Sequence, residues 1–167
     1  VAFTEVNAAA KVMKEWLELL GLVAFCKTTG GKGLHVVTPL ASGNGKLTWP
    51  VAKDFAREVC ERIAADAPDR FLVNMSKAKR TGKIFLDYLR NDRMSTAVGP
   101  LSPRARPGAT VSMPLTWAQV KTGLDPRKFT IRTAQSLLGR SKAWADYAKA
   151  AKPLQPAIKR LAGSASQ

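Results

Sequence analysis

Residues 22–40, LVAFCKTTGGKGLHVVTPL, decide how the fold is read. Leu22 to Lys27 is apolar, with Val and Phe among its residues, and predicts a strand. TTGGKG cannot easily continue it. LHVVTPL then resumes as a second strand, limited by Pro39, which brings no N–H to a ladder. Three glycines within Thr29–Gly33 let the backbone turn tightly and bring its N–H groups close to an anion. The loop therefore has two readings, a plain hairpin turn or a phosphate cradle. In the second, Lys32 supplies a mobile positive charge, Thr28 and Thr29 supply hydroxyls, and His35 donates from a fixed position in the following strand. The spacing is not that of a Walker loop, because Lys32 is followed by Gly33 and not by Ser or Thr.

Outward from this stretch, the chain alternates helix and strand. Thr4 is a candidate cap for a helix whose apolar face runs Val6, Ala9, Val12, Met13, Trp16, Leu17 and Leu20, with Gly21 as its stop. SGNGK at 42–46 predicts a turn. Thr48 opens a second helix with Pro50 in its first turn, and Val51, Phe55, Val59 and Ile63 stack at i+4 before Pro68 closes it. FLVNM is short and apolar, KAKRTGK is a charged loop, and IFLDYL and STAVG read as strands. LSPRARPGA is too broken by proline for regular structure. Weaker helices are expected near Thr116–Val120, Thr133–Leu138 and Lys142–Ala151, and residues 151–167 read as a tail or linker. The order predicts an α+β fold with helices packed on a mixed or mainly antiparallel sheet, and it is too irregular for a doubly wound parallel sheet.

Composition narrows the function. The 167 residues are 46% apolar, enough for a globular core. No stretch approaches a membrane span, and the first residues carry charge where an export signal would be apolar. Cys26 and Cys60 lie far apart, and with the single His35 they make no ordinary zinc site. Two buried thiols in a cytoplasmic chain are expected rather than a disulfide. The net charge is +15, and +14 of it lies after residue 76, where 18 basic side chains meet 4 acidic ones. A field so concentrated favours a polyanion, nucleic acid before an anionic membrane.

Two further segments bear on phosphate chemistry. Asp87 in IFLDYL is an acid inside an apolar run, which must be paired, hydrogen-bonded, metal-bound or turned to solvent. Lys77, Lys79, Arg80, Lys83 and Arg90 are its basic neighbours in sequence. Arg104 and Arg106 stand two apart between prolines and point the same way on an extended segment, an arrangement suited to phosphate oxygens or to a rigid surface loop. Trp16, Trp49, Trp117 and Trp144 are placed better as core or staple residues than as base-stacking platforms.

KTTGGKGLHVVTPL, MSKAKRTGKIFLDYLRN and TAVGPLSPRARPGATVSMPLTW, in this order, resemble the polymerase domain of bacterial DNA ligase D, a member of the archaeo-eukaryotic primase superfamily. The resemblance covers residues 27–117. It implies a primase-polymerase fold and a template-dependent nucleotidyltransferase that uses Mn2+ or Mg2+ in non-homologous end joining. It also implies DNA ends and nucleoside triphosphates as ligands, the Ku protein and a DNA ligase domain as partners, and a cytoplasmic, nucleoid-associated location. By the same resemblance Thr29, Lys32 and His35 bind the incoming triphosphate, with Thr29 where the family usually has serine. Arg80, Arg104 and Arg106 line the nucleotide site, Asp87 is the third metal carboxylate, and Lys77, Lys79 and Lys83 face nucleic acid. The family's other two metal carboxylates lie in a D-x-D motif before the first helix, and no D-x-D occurs in this chain. Residues 1–150 are therefore expected to be the C-terminal portion of one catalytic domain, inactive alone. The runner-up is a nucleic-acid-binding module without chemistry.

Overall fold

The computed structural model describes residues 1–43 and 47–163; the turn expected over 42–46 falls partly outside them. Helix α1 (Phe3–Leu19) starts from Ala2 with no side-chain cap, so Thr4 lies inside the helix rather than capping it. Its end is set as the sequence suggests. Gly21 adopts φ +86°, its N–H bonds Glu18 O at 2.9 Å, and Leu22 N–H reaches Leu17 O at 2.9 Å. This paired closure satisfies two otherwise orphaned carbonyls and needs a residue at ease with positive φ. Helix α2 (Trp49–Asp66) is capped by Thr48, whose hydroxyl accepts from Val51 N–H, with Pro50 in the first turn.

Strands β1 (Phe25–Thr28) and β2 (Leu34–Val37) pair antiparallel, with Lys27 opposite His35 and Thr28 opposite Leu34. On its other side β1 pairs antiparallel with β5 (Pro114–Leu115). A second, two-stranded sheet joins β3 (Phe71–Leu72) to β4 (Ile84–Phe85) in parallel. The α+β expectation is met, and of its two sheet alternatives the mainly antiparallel one holds. One apolar core gathers Leu17, Leu20 and Leu22 with Phe55, Val59 and Ile63 of α2. A smaller one gathers Cys26, Met113, Leu115, Val120 and Phe129 beneath the three-stranded sheet. Cys26 and Cys60 are both buried and free, and burial pushes both thiols up to about 12.

Several expectations need correction. IFLDYL is a strand only over Ile84–Phe85, and STAVG forms no strand. KAKR closes a single 3-10 turn, Lys77–Arg80. Residues 142–151 form successive turns rather than a helix, while Ala134–Gly139 is α3. Trp49 is 55% exposed and is not a core residue. Trp144 packs against Phe25 and stacks on Tyr147 at 4.8 Å, with its indole N–H on Cys26 O. Leu154–Gly163, placed by composition in a tail or linker, is helix α4, with Leu154, Ala157 and Leu161 in the main core. Its Arg160 guanidinium donates to Leu20 O at 3.0 Å and clasps the end of α1.

Candidate functional site

The β1–β2 turn is built from its own polar groups. Thr29 N–H donates to Gly33 O at 3.2 Å, closing the loop across its base. The Thr29 hydroxyl accepts from Gly31 N–H at 3.2 Å and donates to Gly33 O at 3.1 Å. That hydroxyl thus braces the loop, with one lone pair remaining. Thr28, expected as a second hydroxyl donor for a ligand, is fully buried between Val111 O and Met113 N–H. Gly30 sits at φ +67°. The outward carbonyls are held by the proline-arginine segment: Arg104 donates to Thr29 O at 3.1 Å, and Arg106 to Gly30 O at 3.2 Å. Thr110 adds its hydroxyl to Gly30 O at 2.5 Å. The two arginines therefore point the same way, as their spacing suggests, and converge on the glycine loop, where among the described residues neither forms an ion pair with an acid.

Behind the loop lies a group that sequence reading passed over. Lys27 is only 3% exposed, yet among the described residues it pairs with no carboxylate. Its ammonium donates to Val98 O at 2.7 Å and Ser112 Oγ at 2.9 Å, and lies 3.0 Å from His35 Nδ1. Burial draws Lys27 down to about 8, with Cys26 opposing and Arg104 assisting. Burial also draws His35 down to about 4; the charges of Lys27, Arg90 and Arg104 add to this, and Asp87 works against it. His35 is a neutral imidazole at pH 7. The signal was present in the sequence: a lysine at an inward position of an apolar strand needs a reason.

Thr29, His35, Arg90, Arg104 and the loop Thr96–Val98 line one cavity of about 470 Å³. A larger, mostly apolar cavity of about 580 Å³ opens beside it between α1, β2, α2 and β4, and Lys32, His35, Lys83, Asp87 and Arg90 lie on its lining. Asp87 follows β4 and is exposed. One of its oxygens accepts from Leu89 N–H at 3.0 Å, and the other lies 3.4 Å from Arg90 Nε. Arg90 also donates to Thr96 O at 2.6 Å, tying Asp87 to the loop that Lys27 anchors. Arg90 is the second site residue that sequence reading did not single out for a role. Arg80 lies over the Phe85 ring at 4.0 Å and donates to Met75 O, while its Nε is buried without a partner. Lys83 donates to Pro68 O, and Lys77 and Lys79 are exposed. The fold thus brings Thr29, His35 and Arg104 around one space, and Lys32, His35 and Asp87 around its neighbour. Arg106 braces the loop from behind, and Arg80, Lys77 and Lys79 lie outside both linings.

The donor set limits the metal chemistry. Among the described residues, no group of three His, Cys, Asp or Glu side chains lies close enough to hold an ion. Asp87 alone, paired with Arg90, does not fit the needs of a two-metal centre. What the arrangement can do is bind a compact polyanion by backbone N–H groups, a neutral imidazole and guanidinium forks.

Comparison with known proteins agrees with this geometry. Residues 1–145 match the family model of the LigD primase-polymerase domain. The multifunctional non-homologous end joining protein LigD of Pseudomonas aeruginosa is 37% identical over 150 residues, 88% of this chain and 18% of that protein. The bifunctional LigD of Bacillus subtilis is 30% identical over 125 residues, 75% of this chain and 20% of its own. This chain thus spans about a fifth of those relatives. The solved polymerase domain of Mycobacterium tuberculosis ligase D, in complex with DNA, superposes with a TM-score of 0.77 at 29% identity, covering 87% of this chain and 50% of that one. The chain belongs to the LigD primase-polymerase domain family.

Proposed function

We propose that this chain forms the triphosphate-gripping part of a template-dependent nucleotidyltransferase acting on DNA ends in non-homologous end joining. The observation that carries the reading is the cavity where Thr29, His35, Arg90 and Arg104 meet, with Asp87 as the nearby acid. In this reading Arg90 and Arg104 take phosphate oxygens with their free N–H groups, and Lys32 closes over the anion from the loop. His35 donates one hydrogen bond from the β2 side of the cavity. The family membership supports the transferase class, and the DNA in the mycobacterial neighbour supports a nucleic-acid ligand for the basic half. Mn2+ or Mg2+, Ku and a ligase domain belong to the proposal for the complete enzyme. No step proposed for this chain runs through the metal, because Asp87 alone does not hold one.

Isothermal titration of the chain with ATP and dATP tests the reading. Binding heat should appear, and should vanish in Lys32→Ala and Arg104→Ala. A flat trace with the unaltered chain would instead favour a nucleic-acid binder that takes no nucleotide.

A further inference from the structure

We propose that Lys27 is a positioning residue that fixes His35 in its Nε2–H tautomer, so that the ring offers an N–H, not a lone pair, to an anion in the cavity. The proposal deepens the phosphate-binding reading and rests on it for the ligand, though not for the tautomer. An ammonium has three N–H bonds and no acceptor. Lys27 is ringed by Val98 O, Ser112 Oγ and His35 Nδ1 at 2.7–3.0 Å, one acceptor for each N–H. His35 Nδ1 must then be the lone-pair nitrogen, and a neutral ring carries its proton on Nε2. Nε2 makes no hydrogen bond to another described residue, which leaves it for a ligand.

The arrangement belongs to the hairpin itself. Lys27 and His35 are directly opposite in the β1–β2 register, and a one-residue slip would send one of them to the other face. The groups facing the ring are Lys27 from β1, Arg90 and Asp87 after β4, and Arg104 from the arginine segment. Three of these four are cationic, so the ring stays neutral and its hydrogen-bond direction, rather than its charge, is what Lys27 sets. Lys27 itself is drawn down to about 8. Once it is deprotonated, the amine keeps two N–H bonds for Val98 O and Ser112 Oγ and gains a lone pair for His35 Nδ1–H. The tautomer should therefore reverse as Lys27 titrates.

His35 is the only histidine in the chain, so one pair of imidazole 15N resonances reports the state directly. In a long-range 1H–15N correlation spectrum at pH 7, Nε2 should appear protonated and Nδ1 bare, with the ratio reversing between pH 7 and 10. Lys27→Met should give a mixture of tautomers and weaken tripolyphosphate binding roughly tenfold, the scale of one charge-assisted hydrogen bond. Ser112→Ala should leave the tautomer unchanged. An Nδ1–H ring at pH 7, or a ratio fixed from pH 7 to 10, would overturn the assignment even if Lys27→Met does not fold. An Nε2–H ring that binds no tripolyphosphate would leave the tautomer assignment standing and remove the phosphate-binding reading instead.

Discussion

The three glycines of the loop are predicted to be unequal, and the inequality tests whether the loop is a built cradle or a simple turn. At Gly30 the backbone is left-handed, φ +67°, and an added Cβ would fall 2.6 Å from Arg104 Cγ and 3.4 Å from Thr110 O. The left-handed conformation costs a non-glycine residue about 1–2 kcal/mol, and Arg104 must also leave its place on Thr29 O. At Gly31 a Cβ would meet Arg106 Nη1 at 3.1 Å, the far end of a flexible side chain, without positive φ. At Gly33 the nearest atoms are at 3.9 Å, ordinary contact. Gly33→Ala should therefore leave stability within about 0.5 kcal/mol, helped by the lower entropy of its unfolded chain. Gly30→Ala should lose about 1–2 kcal/mol, a fall in Tm of roughly 2–8 °C for a chain of this size. Because Arg104 is displaced, Gly30→Ala should also weaken tripolyphosphate binding, and Gly31→Ala should fall between the two. Differential scanning calorimetry and titration calorimetry on the three variants measure both quantities. Equal losses at Gly30 and Gly33, or a Gly30→Ala variant with full affinity, would refute the bracing of the loop by Arg104.

Three other outcomes follow from the same contacts. The folded chain holds His35 at about 4, below its ordinary 6.5, so the unfolded chain takes up that proton first as pH falls. Stability should drop between about pH 6.5 and pH 4 by about 1–2 kcal/mol after allowance for solvent screening at the half-buried ring, and His35→Gln should lose that part of the acid sensitivity in urea titrations. Leu161→Ala, at 1% exposure in the core, should cost about 2–5 kcal/mol by chemical denaturation, whereas a mere tail residue would cost nothing. Affinity for single- or double-stranded DNA, read by fluorescence anisotropy, should fall steeply between 50 and 200 mM salt; a salt-independent affinity would contradict phosphate contacts by the basic half.

The parts of the fold that were legible in the sequence are those fixed by local chemistry. Gly21 ends α1 because only a residue tolerant of positive φ closes the helix that way, and Thr48 starts α2 because its hydroxyl meets an orphan N–H. TTGGKG separates two strands for the same kind of reason. What was not legible depends on partners distant in sequence. The apolar positions of α4, Leu154, Ala157 and Leu161, have helical spacing, but they sit among prolines and lysines that read as a linker. Their reason for being helical is the core they meet and the Leu20 carbonyl that Arg160 reaches. Asp87 was expected within a strand, yet β4 stops at Phe85, so the acid needs no buried partner and pairs at the surface with Arg90. Lys27 was quoted within the glycine motif but given no role, because its acceptors come from residues 35, 98 and 112.

The distribution of charge separates two kinds of anion. Lys77 and Lys79 are exposed, and charges held that far into solvent act through long-range attraction to an extended polyanion, with little discrimination. Around the glycine loop the logic differs. Arg104 and Arg106 give N–H groups to neutral carbonyls, and Lys27 is buried against neutral acceptors, so among the described residues none of the three has a carboxylate paired with it. Asp87, the nearby acid, is already engaged by Arg90. Lys27 is the buried cation of the three, whereas Arg104 and Arg106 are exposed; a buried charge without counter-charge is costly, and that cost is relieved when a compact anion with several charges comes near. A single phosphate of a DNA backbone brings about one charge to such a place, whereas a triphosphate brings several within a few ångströms. In the function proposed above, the loop and its arginines take the nucleotide's triphosphate, and the exposed lysines take the strand to which it is added.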